Sequence, residues 1–184
     1  MTKRFFFILT MMMISITTLS AQSIIGKWYA DDEFIRKLEL NDKDGKVDIV
    51  LNIKENTIST DILMRVDDND DKIDMIYSVP GTYTKTGNKV TAKFDVPKAE
   101  LKVTDIKTSD PEMSEMMKTE EGKKTVLKLV NTMMNAEVGD SMKDMAEITK
   151  LFNSFNVKSV NANTLSIAIG DENGDTMVIN FKRK

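Results

Sequence analysis

The stretch Ile24-Ile25-Gly26-Lys27-Trp28-Tyr29-Ala30 holds the single tryptophan of the 184-residue chain. In a strand, successive side chains alternate between faces. Ile24, Gly26, Trp28 and Ala30 then share one face, and Lys27 falls on the other, where it reaches water. Trp28 supplies a large buried surface. Gly26, two residues earlier, leaves room for close approach of another segment. The pattern reads as a first strand with a bulky anchor at one end of a closed sheet, although an ordinary core tryptophan gives the same local pattern.

Upstream, Lys3 and Arg4 precede an uncharged apolar run from Phe5 to Ile16, and Thr17-Thr18-Leu19-Ser20-Ala21 is smaller and more polar. That order is a secretory signal peptide over residues 1–21. The run falls short of the ~20 apolar residues of a membrane helix, which disfavours an uncleaved anchor. Cleavage is expected after Ala21, with Ser20 as the alternative. Residues 22–184 then form a single domain. Loss of Lys3 and Arg4 lowers the formal net charge of −3 by two, and an acidic balance argues against nucleic acid as a partner. No later stretch approaches membrane length.

The chain has no cysteine and no histidine. A lipid-modified cysteine and any disulfide are thereby excluded. So are the commonest general base, the usual hydrolase triads and the common zinc sites. The expected address is outside the cytoplasm, periplasmic or secreted, as a soluble protein rather than a lipoprotein.

Downstream of Trp28 the apolar residues alternate. Val47, Ile49, Leu51 and Ile53 form one set, and Ile58, Thr60, Ile62, Met64 and Val66 the next. Ile73, Met75 and Tyr77 return after Asp67-Asp68-Asn69-Asp70-Asp71. Pro80-Gly81 is expected to break or bulge its strand. Gly87-Asn88 is a two-residue hairpin turn between Tyr83 and the Val90, Ala92, Phe94 strand. Pro97 interrupts, and Leu101 and Val103 carry a further strand towards Lys107. Phe34 to Leu40 is ambiguous between strand and helical turn.

The period then changes. Ser109-Asp110-Pro111-Glu112 is a helix start. Met113, Met116 and Met117 follow at helical spacing, and Gly122 marks a break. Val126, Leu127, Val130, Met133 and Met134 form one apolar stripe, and Met142, Met145, Ile148, Leu151 and Phe152 another. Two or three helices are expected over about 110–155, inserted before closing strands at Val157–Val160, Leu165–Ile169 and Met177–Phe181. The expected fold class is mainly β: an antiparallel barrel of about eight to ten strands with a helical insertion.

In three places the chain resembles the lipocalin-like (calycin) barrels of exported bacterial proteins. Gly26-Lys27-Trp28 matches the G-x-W of the first strand. Gly81-Thr82-Tyr83 through Val90 resembles a G-x-Y hairpin. Asn163-Thr164-Leu165-Ser166-Ile167, Asn173-Gly174 and Phe181-Lys182-Arg183 resemble the closing hairpin. The resemblance implies that Trp28 packs at the closed end of the barrel under a basic side chain, for which Arg183 is the available residue. Gly26, Trp28 and Arg183 would be the structural anchor, the cation–indole contact adding about 0.5–2 kcal/mol. The chain departs from the family in three respects, the first being that no disulfide is possible. Thr104-Asp105-Ile106 is a poor match to the T-D-Y-type motif, and the helices precede the closing strands instead of following the barrel.

Candidate chemistry is sparse. Asp67 to Asp71 offers clustered oxygens to calcium, but Lys72 stands where an EF-hand loop has glycine, and a solvated hairpin loop explains the run. Fragments at Asp42–Gly45 and Asp171–Asp175 read as turns. Seven of the ten methionines beyond the signal segment lie in the insert. They offer an adaptable apolar surface, gap-filling, or soft-metal thioethers, the last disfavoured without cysteine or histidine. Paired carboxylates for glycoside hydrolysis are too numerous in this chain to single out. No nucleophile, phosphate or dinucleotide motif appears.

These readings lead to an exported, non-catalytic protein without cofactor or metal. It would bind a small apolar molecule in the barrel or under the insert, with Met117, Val130, Met133, Met134 and Met145 as the binding wall. The alternative is an envelope module with a filled barrel, whose insert docks a protein partner.

Overall fold

Alternation along the chain becomes nine antiparallel strands: β1 Gly26–Ala30, β2 Gly45–Ile53, β3 Thr57–Asp68, β4 Asp71–Thr86, β5 Lys89–Phe94, β6 Glu100–Lys107, β7 Ser154–Val160, β8 Thr164–Gly170 and β9 Thr176–Lys182. The computed structural model describes residues 23–41, 45–68, 70–137, 141–170 and 176–184. The expected signal segment and cleavage site, Asn69, most of the Asp42–Gly45 turn and all of the Asp171–Asp175 turn lie outside the described residues.

Eight strands close a ring in which β5 pairs with β7 and β9 with β1. The register sets Trp28 against Leu51 and Ile62 against Tyr77. β6 stays outside the ring. The first half of β4 pairs with β6 and its second half with β5, so β5 and β6 form one long strand interrupted by a 3-10 turn at Val96–Lys98. The expected break at Pro80-Gly81 does not occur; β4 runs straight through it. The Pro80 carbonyl accepts from Asp95 N–H at 2.8 Å. Its missing donor thus falls at the seam between β6 and β5, where no ladder bond is lost. Gly81 is needed there, because a Cβ would stand 2.7 Å from the Lys93 carbonyl oxygen.

The inward faces fill the barrel. Trp28, Ile49, Leu51, Ile53, Ile58 and Ile62 are buried, as are Tyr77, Leu165, Ile167, Ile179 and Phe181, all in one continuous core. An eight-stranded ring is narrow enough for side chains to occupy it completely. Thr60 shares this face, fully buried, and its hydroxyl has no hydrogen-bond partner among the described residues.

Four helices lie at the end of the ring away from Gly26. The ambiguous segment is helix α1, Asp32–Lys37, capped by Asp31, whose carboxylate accepts from Phe34 N–H at 2.9 Å. It buries Phe34 and Ile35 in the barrel. Phe34 meets Phe152 edge-on at 6.2 Å, and Phe152 meets Phe181 at 6.3 Å. The insert holds α2 Pro111–Met116, α3 Glu120–Glu137 and α4 Ser141–Lys150. Gly122 does not break the helix. It sits in the first turn of α3, packed so tightly that a Cβ would fall 2.0 Å from the Met116 carbonyl oxygen. The break lies at Met117–Thr119. The helices also stop earlier than expected, and Phe155 belongs to β7.

Candidate functional site

The first candidate is the Trp28 end. Strand alternation turns the indole fully inward, where its N–H donates to the Ile24 carbonyl at 2.7 Å. Arg183, just past β9, lays its guanidinium 4.4 Å from the ring centroid and donates to the Ile25 carbonyl at 2.7 Å. A Cβ on Gly26 would meet Arg183 Nη2 at 2.8 Å, and Gly26 holds φ +155°. Gly26, Trp28 and Arg183 therefore share one contact set. It has no room for a ligand beside the indole.

The second candidate is the insert. Asp110 caps α2 by accepting from Met113 N–H at 2.8 Å. α3 lies along β6. Its Val126 is buried with Val103 and Ile106, and Met117, Leu127, Val130 and Met134 pack around them. α4 crosses the barrel mouth. Met142, Met145 and Ile148 pack on the main core, and Tyr77 donates from its hydroxyl to the Met142 carbonyl at 3.5 Å. Burial raises the Tyr77 pKa. Met75 and Met134 touch both apolar clusters and join them.

The five residues proposed as a binding wall are therefore not together. Met117 and Val130 lie under α3, Met145 lies over the barrel, and Met134 lies between the two. Met133 is 56% exposed on the outer face of α3, one turn from Leu129 at 59%. Met134, ~100° further round the helix, packs against the clusters that Met133 faces away from.

Asn131 was not singled out by sequence. Its carboxamide oxygen accepts from Val103 N–H at 2.7 Å, and its nitrogen donates to the Val103 carbonyl at 3.2 Å. One side chain thus satisfies both backbone groups of a strand residue, as a neighbouring strand would. A free strand edge invites pairing with another chain, and Asn131 covers that of β6 at its middle. The available signal was a polar residue at the i+4 position from Leu127, inside an apolar stripe.

Three carboxylates of β3 and β4 are engaged structurally. Arg65 forks onto Asp74 at 2.6 and 2.9 Å and holds that carboxyl below its usual range. Asp71 accepts from Ser109 N–H and Oγ at 2.6 and 2.9 Å, which lowers its pKa, and Asp67 pairs with Lys72 at 3.0 Å. Two residues of the acidic run considered for calcium, Asp67 and Asp71, thus turn to separate partners. Among the described residues no group of three potential ligating side chains could hold a metal, and no helix is long and apolar enough to cross a membrane. Surface clefts open to solvent beside Arg65–Asp74, beside Phe94 and Pro97, and between β6 and α3. None of the five residues of the binding wall lines these clefts.

Comparison with protein-family models and with curated proteins gives no match.

Proposed function

We propose that the protein is an exported, non-catalytic barrel of lipocalin-like type that acts through its helical insert by docking a protein partner. The observation that carries this reading is the outer face of α3. Leu129 and Met133 stand exposed one turn apart, while the opposite face of the helix is fixed to β6. Adjacent exposed apolar residues on a firmly packed helix form the kind of anchor that protein interfaces use. The G-x-W strand, the cation over its indole and the eight-strand ring support the lipocalin-like kinship. The filled interior favours docking over a bound small molecule.

The test is a photo-crosslinking residue placed at Leu129 in the producing cell, with Asn180 on the barrel wall as control. A discrete protein adduct from position 129, absent from position 180, is expected. Stoichiometric uptake of an apolar probe by the purified protein, with no adduct at 129, would reverse the reading in favour of a small-molecule carrier.

A further inference from the structure

We infer that the Trp28–Arg183 end of the barrel is a surface that lies against an anionic lipid bilayer. In an antiparallel ring every second connection returns to the same end. The strand pairings therefore gather five stretches there: 23–27, 54–57, 85–89, 160–164 and 182–184. Hydrogen bonds tie them together. The Tyr83 hydroxyl donates to the Lys54 and Glu55 carbonyls at 3.0 and 3.2 Å, and Arg183 N–H donates to the Asn163 carbonyl at 3.0 Å.

Lys27, Lys54, Lys85, Lys89, Lys182 and Lys184 are all exposed on these stretches, beside Arg183. Glu55 is the single acid in them. Lys184 pairs with Asp48 at 3.1 Å, and the other five lysines form no ion pair among the described residues. The sign reverses elsewhere. Asp32, Glu33 and Asp70 are exposed at the far end, and Glu112, Glu115 and Glu121 on the insert, Glu33 and Glu115 being paired with Lys37 and Lys118. A molecule acidic as a whole thus carries one basic pole, and an anionic plane would orient it.

The arrangement favours a surface over a groove. The cations sit on separate turns and on the stretch that follows β9, surrounding the end of a ring. Lysine is a flexible point charge, without the planar fork that arginine offers to a single bound group. Ile25, 44% exposed within this cationic ring, is placed to enter the headgroup boundary. Tyr29 lies on the adjoining outer wall with the Lys27 and Lys184 ammonium groups 5.4 and 4.6 Å from its ring centroid. The insert points away from the plane, so this surface and the α3 face are independent.

The experiment is co-sedimentation of the protein, isolated from its producing cell, with phosphatidylcholine vesicles with and without phosphatidylglycerol. Binding only to the anionic vesicles is expected, declining as salt is raised. A triple variant, Lys54→Glu, Lys85→Glu and Lys89→Glu, should bind at least roughly 100-fold more weakly, given the contribution of each lysine near an anionic surface. These three side chains leave the core untouched, so an unchanged melting curve verifies folding. A control, Lys102→Glu, Lys124→Glu and Lys128→Glu on the insert side, should bind like the parent. Equal binding to both vesicle types, equal loss in the control, or full binding by the triple variant overturns the inference. Self-association abolished by the triple variant, without vesicle binding, assigns the pole to a second copy instead. A lost crosslink at Leu129 leaves this result unaffected.

Discussion

The two ends of the barrel are both closed, but by different means. At one end a single indole, a glycine and a guanidinium interlock, each leaving space for just the others. At the other end α1 and α4 cover the opening with Phe34, Ile35, Met142, Met145 and Ile148. Methionine has three rotatable bonds and fills irregular gaps. The first closure is specified atom by atom, whereas the second is specified by volume. The lesson is that a mutation's cost here depends less on burial than on how many partners can move to accommodate it.

The largest expected effect comes from Trp28→Ala. Removing the side chain should cost about 3–5 kcal/mol, comparable to the whole stability of a marginal domain. Circular dichroism and thermal melting should show an unfolded or deeply destabilised chain; an unchanged melt would end the claim that this closure is rigid. Next is Gly26→Val, expected to cost about 1–3 kcal/mol through overpacking against Arg183. Adding Arg183→Ala should recover part of that loss, because the collision partner is gone. Simple additivity of the two changes would show that backbone strain at Gly26, and not the collision, sets the cost.

Asn131→Leu breaks the comparison from the other side. It should cost about 1–3 kcal/mol by leaving Val103 N–H unpaired, and gel filtration should show new association through the exposed β6 edge. A monomer of parental stability would mean the edge needs no cover. Met145→Leu should cost less than about 1.5 kcal/mol, as expected for a closure set by volume.

The smallest effect belongs to the outer wall. Asp74 is held below its usual pKa by the Arg65 hydrogen bonds. Its contribution is therefore present above the unfolded value of about 3.9 and is lost as pH falls through the lower folded value. The pair is largely exposed, so Asp74→Asn should cost no more than about 1 kcal/mol at neutral pH. Urea titrations should show the difference shrinking towards zero in acid.

The ring was legible because its inward faces follow period two almost without fault, from Val47 through Ile62 and from Leu165 through Phe181. Arg183 could be paired with Trp28 only through a family likeness, since no local pattern links positions so distant. The Pro80 reading failed because proline's effect depends on which neighbour lies alongside, and that is a property of the sheet. The five residues expected to form one wall are dispersed for a related reason. Periodicity shows that α3 has an apolar stripe but not where its border falls, and Met133 lies beyond that border. Asn131 was hidden because its role belongs to the strand edge it covers.

The bond between Arg183 and the Ile25 carbonyl joins groups 158 positions apart. It also sets an order of events. During synthesis Trp28 emerges long before the cation that covers it. The rigid closure therefore forms late: until Arg183 arrives, the anchor on the first strand stays uncovered on that side.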